Sequence, residues 1–261
     1  MANEPQPGQA GAPERQPLRR TVDPAQYYEG IWKTDRDDMK KHGPFSRHYR
    51  RLFMSLIRPL APRSILDVGC GQGSLLAELR SEFPTCALNG IDVSASALDL
   101  ARQKVPTARF WDMDITRETL TEQFDLVICS EVLEHVPDDV AILKNLALVT
   151  GRYLVISTVQ GRMRGFEPKI GHVRNYAPGE LVQKVEQAGF RVIRCIEWGF
   201  PFYSPLYRDF LDLVGGRGTT GEFGLMRRAI SETLYYLFML NSSRRGDEIL
   251  VLAEPVAQAM D

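Results

Sequence analysis

The chain has 261 residues, 44% apolar and 25% charged, with a formal net charge of −1. This is the balance of a soluble globular domain, and it lacks the basic excess expected of a nucleic-acid binder. No apolar run reaches the roughly 18 residues of a membrane span, and no apolar h-region marks a secretory signal at the N-terminus.

Residues 1–24 are rich in Pro, Gln, Ala and Gly, and are read as a disordered tail. Residues 25–261 are read as one domain. Its first part, 25–60, reads as helical, broken near Gly43-Pro44. Tyr27, Tyr28, Ile31 and Trp32 form an aromatic cluster there, and Leu52, Phe53, Leu56 and Ile57 an apolar stripe at helical spacing. His42 and His48, set among Lys and Arg, are read as exposed.

Ser64 to Leu76 reads S-I-L-D-V-G-C-G-Q-G-S-L-L. An apolar strand runs into three glycines at alternate positions, Gly69, Gly71 and Gly73, and then into a helix carrying Leu75, Leu76 and Leu79. Strand, glycine turn and helix make a nucleotide-binding loop: glycine admits unusual backbone angles, and the helix start offers unpaired N–H groups. The spacing departs from the dinucleotide pattern G-x-G-x-x-G, because Gly73 falls one place early and Ser74 takes the third position.

Ala87–Val93 reads as the second strand. It ends on Asp92, about twenty residues past the glycines, where an acid accepts from ribose hydroxyls. The competing reading is an acid at a helix start, with Ser94 as N-cap. Ala108–Ile115 reads as the third strand, with Asp112 and Asp114 at its exit. Phe124–Ser130 reads as the fourth. Glu131-Val-Leu-Glu-His135 follows, and Pro137 opens the next helix. On a helical turn Glu131, Glu134 and His135 share one face. Two carboxylates and an imidazole so placed suit a divalent cation. His135 alone suits a general base.

Gly151–Val159 is read as the fifth strand and Phe190–Trp198 as the sixth, with a helix between them opened by Pro178 and closed by Gly189. Ile249–Ala253 is the seventh. Arg162, Arg164, Lys169 and Arg174 stand near the cleft, either to hold an acceptor's carboxylate or phosphate or as a solvated loop. Residues 199–246 form an insertion with the aromatic run F-P-F-Y-S-P-L-Y and a helix from Glu222 to Leu240. Leu225, Ala229, Ile230, Leu234, Leu237 and Phe238 line one side of that helix. A lid, an interfacial membrane helix at 222–240, a dimer contact and plain packing all remain open for it. Cys70, Cys86, Cys129 and Cys195 lack metal spacing and read as reduced thiols, which places the chain in the cytoplasm.

The D-x-G-x-G-x-G run from Asp67 resembles motif I of the class I S-adenosylmethionine-dependent methyltransferases. The F-D-L-V-I…E-V-L-E-H run resembles that of small-molecule members such as the ubiquinone-biosynthesis O-methyltransferases. The resemblance implies a Rossmann-like α/β fold: a seven-stranded, mostly parallel sheet with helices on both faces, N-terminal helices, and an insertion before the last strand. It implies S-adenosylmethionine held by Asp67, Gly69, Gly71, Gly73, Asp92, Val93, Asp114, Ile115 and Ser130, with Asp112 competing for the adenine-binding place of Asp114. The E-x-x-E-H run also resembles the metal motif of the ubiquinone-biosynthesis and small-RNA 2′-O-methyltransferases. That implies a cation on Glu131, Glu134, His135 and His172. The function so implied is methyl transfer to a small-molecule acceptor, most readily at oxygen, with no nucleic acid expected. An RNA 2′-O-methyltransferase, a non-catalytic cofactor binder and, more distantly, a dehydrogenase are the rivals. Oligomeric state is left open.

Overall fold

The structure, a computed structural model, describes residues 42–215 and 224–256. The tail at 1–24 and the aromatic cluster at 27–32 lie outside the described residues. Seven strands form one sheet in the order β3-β2-β1-β4-β5-β7-β6. They are β1 (Ser64–Val68), β2 (Ala87–Asp92), β3 (Arg109–Asp112), β4 (Phe124–Ser130), β5 (Thr150–Val159), β6 (Phe190–Trp198) and β7 (Glu248–Pro255). All neighbours are parallel except β7, which runs antiparallel between β5 and β6.

Successive strand residues point to opposite faces of a sheet, and here each set finds its own helices. Ile65, Leu126, Ile128, Val155, Leu250 and Leu252 face α1 (Pro44–Ile57), α2 (Ser74–Glu82) and α3 (Ala95–Lys104). Leu66, Val68, Val127, Cys129, Leu154, Ile156 and Val251 face α4 (Asp139–Val149) and α5 (Glu180–Gln187). Both faces are buried, so the strands read as near-continuous apolar runs. The order of strands reverses between β1 and β4, and ligands of open α/β sheets lie outside the carboxyl ends of the strands at that switch point.

Several boundaries differ from the sequence reading. β3 stops at Asp112 rather than Ile115, because Asp114 turns the chain: its Oδ1 accepts from the Thr116 amide at 2.9 Å and hydroxyl at 2.7 Å. Pro137 lies one residue before the cap of α4, where the Asp138 carboxylate accepts from the Ala141 amide at 2.9 Å. α5 starts at Glu180, behind Gly179 in the left-handed region at φ 80°, and not at Pro178.

The two N-terminal histidines are not exposed. His42 is half-buried and His48 is fully buried. The His48 ring stacks on Trp198 at 5.2 Å and Tyr235 at 4.4 Å, and its Nε2 meets the Tyr235 carbonyl at 2.8 Å. Its Nδ1 accepts from Arg51 at 3.3 Å, so aromatic packing and two partnered nitrogens make it a core residue, with burial lowering its pKa.

The insertion contributes α6 (Arg208–Leu213) and α7 (Leu225–Phe238). Arg208 is buried against Glu167, and Arg164 holds Asp247 at 2.7 Å and Asp209 at 2.8 Å, so α6 is bolted to the loop after β5 and to the start of β7. These arginines, with Arg162 on Asp209 at 2.8 Å and Arg174 on Asp139 at 2.5 Å, are engaged by the protein's own acids rather than held ready for an acceptor. α7 packs on α1 through Ser231 and Phe238. Ser231 donates to the His42 carbonyl, and Arg47 pairs with Glu232 at 2.5 Å. The expected apolar stripe does not form the packing side. Only Phe238 is buried and Leu234 half-buried, while Leu225, Ala229, Ile230 and Leu237 are exposed.

Candidate active site

The turn after β1 is built from left-handed glycines, with φ of 74° at Gly69, 52° at Gly71 and 73° at Gly73. A Cβ on Gly69 would lie 2.4 Å from Val132 Cγ2, so the chain passes too close there for any side chain. The amides of Gly69 and Cys70 both donate to the Ile91 carbonyl, at 2.8 and 3.0 Å, which ties the turn to β2. Asp92, at the end of β2, accepts from the Gly71 amide at 2.8 Å and from the Ser94 amide at 2.9 Å. Burial raises its pKa, and these backbone donors oppose the shift. Ser94 caps α3 by accepting from the Ala97 amide at 3.3 Å, as the competing reading of this stretch expects. Asp67 is buried on β1, and Val93 is half-buried beside Asp92.

Asp112 pairs in register with Asp92, and its charge adds to the raised Asp92 pKa. Asp114 stands beyond the strand end, bonded to Thr116 and 3.5 Å from the Arg117 guanidinium. Ile115 is buried, and its carbonyl accepts from Asn145 at 2.6 Å.

At the end of β4, Ser130 bonds the Tyr49 hydroxyl, which also meets Ser157 Oγ of β5 at 2.8 Å. Ser157 donates to Glu131 Oε1 at 3.1 Å. Tyr49 was not singled out from the sequence, although it sits at helical spacing with Leu52, Phe53 and Leu56 as the one hydroxyl on that stripe. Glu131 itself has φ 55°, a left-handed angle that side chains rarely adopt. It therefore does not begin a regular helical turn with Glu134 and His135, which lie in a short 3-10 segment, Leu133–His135.

Three of the four expected metal ligands do converge. One ligand atom each from Glu134, His135 and His172 lies within 4.8 Å of the others, and Glu131 is not among them. The His135 and His172 rings meet edge to face at 4.8 Å, and His135 Nε2 is 3.9 Å from Glu134 Oε1. Glu134 is fully buried. Its Oε2 accepts from Thr158 at 2.7 Å, while Oε1 and His172 Nδ1 have no hydrogen-bond partner among the described residues. Burial, and then the charge of Glu131, push the Glu134 carboxyl well up. Burial lowers His135, and burial with the neighbouring His135 lowers His172 to about 4. A buried acid left with an unpaired oxygen beside two neutral imidazoles is a donor set lacking its charge partner, and it fits a divalent cation.

Residues 66–150 match the model of a methyltransferase domain. The chain is 32% identical over 160 residues to a ubiquinone biosynthesis O-methyltransferase of Coxiella burnetii, covering 51% of this chain and 66% of that protein. It is 32% identical over 108 residues to a trans-aconitate 2-methyltransferase of Rhodopseudomonas palustris, covering 41% of this chain and 42% of that protein. The chain thus spans less than two thirds of the length of these relatives. Among solved structures it resembles the N-methyltransferase NodS of Bradyrhizobium japonicum, with a TM-score of 0.60, 16% identity, and 88% and 97% of the two chains covered. Matched domain, strand order and glycine turn agree, and together they support a class I S-adenosylmethionine-dependent methyltransferase.

Proposed function

We propose that this chain is an enzyme that binds S-adenosylmethionine over the Gly69–Gly73 turn and Asp92 and transfers its methyl group to an oxygen of a small-molecule acceptor. The observation that carries the reading is the place of Asp92, whose carboxylate braces Gly71 from the next strand, where a cofactor ribose would lie. The sulfonium methyl is already activated. The residues around it have to align the acceptor oxygen behind that carbon, exclude water and remove a proton. Ser130, at the end of β4, is assigned to the cofactor, while Glu131 beside it and Tyr49, whose hydroxyl reaches Ser130 from α1, are assigned to position the acceptor.

Glu134, His135 and His172 would hold a divalent cation. When bound, that ion lowers the pKa of a hydroxyl near it. Without it, the His135 imidazole, kept neutral by burial, is the group that takes the acceptor's proton. Asp114, Ile115 and Val93 are assigned to the adenine and ribose side by their position beyond β3 and β2. The curated relatives named above act on small molecules by their names, which supports the same acceptor class here.

The test is calorimetric titration with S-adenosylhomocysteine, followed by transfer of labelled methyl from the cofactor to a metabolite extract. Absence of binding sinks the reading; binding without transfer to any metabolite leaves a cofactor-binding protein in its place. Metal analysis of protein purified without chelator, with activity before and after chelation, decides the cation.

A further inference from the structure

The helix α7 is turned inside out relative to an ordinary surface helix. At about 100° per residue, Leu225, Met226, Ala229, Ile230, Thr233, Tyr236 and Leu237 fall within one arc of roughly 140°. That arc holds no charged residue and faces away from the other described residues. Leu225 is 88% exposed, Met226 79%, Tyr236 67% and Ile230 53%. The side toward α1 is held instead by Ser231, Phe238 and the Tyr235 stack on His48. With 14 residues the face is about 21 Å long, and Leu240 extends it just past the helix end. Large exposed apolar faces of this kind mark interaction surfaces.

The charges around the face say what it meets. Arg228 is exposed at one edge of it and Arg227 is half-buried near Tyr207 at the other, while exposed Arg244 and Arg245 follow the helix end, Arg245 over the Phe200 ring at 4.1 Å. The one acid at its border, Glu232, is engaged by Arg47 at 2.5 Å. The rim is therefore positive. In an antiparallel two-fold contact through this face, the arginine-bearing edges of the two copies would face each other with Glu232 already engaged, which opposes self-pairing. An apolar face with an arginine rim is what an interfacial helix presents to anionic headgroups and the acyl boundary beneath them. No described helix is long and apolar enough to cross a membrane, so this contact lies along the surface.

We propose that α7 seats this protein on an anionic lipid surface, through the outward face that runs from Leu225 round to Leu237 and Ile230 and the arginines at its rim.

The experiment is flotation of the full chain with vesicles of phosphatidylcholine, with and without phosphatidylglycerol. The wild type is expected to float with the anionic vesicles and lose most of that binding at high salt. Ile230→Asp with Leu237→Asp should abolish flotation. Arg228→Gln and Arg244→Gln should each weaken it about fivefold on anionic vesicles alone. All four side chains are exposed, so melting temperature and S-adenosylhomocysteine binding should stay at wild-type values and report that the variants are folded. Failure of the wild type to float, or flotation indifferent to the double aspartate change, overturns the proposal. A dimer in light scattering that the aspartates convert to monomer, with no flotation, assigns the face to a second copy and overturns it as well.

Discussion

The carboxylate of Asp92 receives the amide of Gly71 across 2.8 Å, joining the end of the second strand to the middle of the glycine turn. Its other oxygen receives the Ser94 amide at 2.9 Å. One side chain therefore shapes the loop proposed to face the cofactor and also presents the acid proposed for the sugar. Loop geometry and ligand affinity should fall together when it is altered.

Asp92→Ala is expected to weaken S-adenosylhomocysteine binding by about 1.5–3 kcal/mol for each charge-assisted hydrogen bond lost. Asp92→Asn, which keeps one carbonyl oxygen, should fall between. Titration calorimetry measures both. Wild-type affinity in the alanine variant would remove Asp92 from the cofactor site.

Gly69→Ala should cost stability for two separable reasons. Its φ of 74° is left-handed, worth about 1–2 kcal/mol against an L residue. The new methyl also collides with Val132, whose Cγ2 would be 2.4 Å away. Adding Val132→Ala relieves the collision and leaves the backbone term, so the double variant should recover part of the lost melting temperature. A single variant that melts like wild type contradicts the close approach.

Tyr49→Phe removes the hydroxyl that Ser130 and Ser157 share. The fold should lose about 1 kcal/mol, since the serines still have each other and Glu131. Turnover should fall with little change in cofactor affinity, because Tyr49 stands at the acceptor end of the proposed cleft. A loss confined to cofactor affinity would place it on the wrong side.

Asp139 gives a pH signature. Burial pushes its carboxyl up, but bonds from Arg174, Lys184 and Tyr176 outweigh that and hold it at about 2. Since the folded pKa lies below the unfolded value near 3.9, the native state is favoured above that value and loses the benefit as pH falls toward 2. The gap amounts to about 2–3 kcal/mol. Denaturant titrations of wild type and Asp139→Asn should differ by about that much at pH 6 and converge as the acid end is approached. A constant difference across the range would show that Asp139 does not titrate as described.

Strands and glycine turn were legible because their signals are local. A buried parallel strand is an apolar run, and left-handed turns demand glycine. The place of Asp92, at the end of the second strand and against the glycine turn, was legible from its distance along the chain. What escaped depends on partners far away in sequence. Tyr49 gains its place from Ser130 and Ser157, and His48 is buried by Trp198 and Tyr235. Glu131 was assigned to the metal set by assuming a regular helical turn, and its left-handed backbone breaks that periodicity. The stripe on α7 was real as a pattern, yet periodicity cannot say which side of a helix meets the protein.

The strand β7 lies between β5 and β6, and among the described residues β6 has no other neighbour in the sheet. During synthesis β6 therefore leaves the ribosome as a lone ribbon and stays so until Glu248–Pro255 has followed it through the exit tunnel. Until then β5 and β6 both offer unpaired amides and carbonyls to any extended stretch nearby. A transcript cut short anywhere in the insertion would leave that wedge unfilled. Its product would risk quality-control degradation or clumping, however intact its glycine turn.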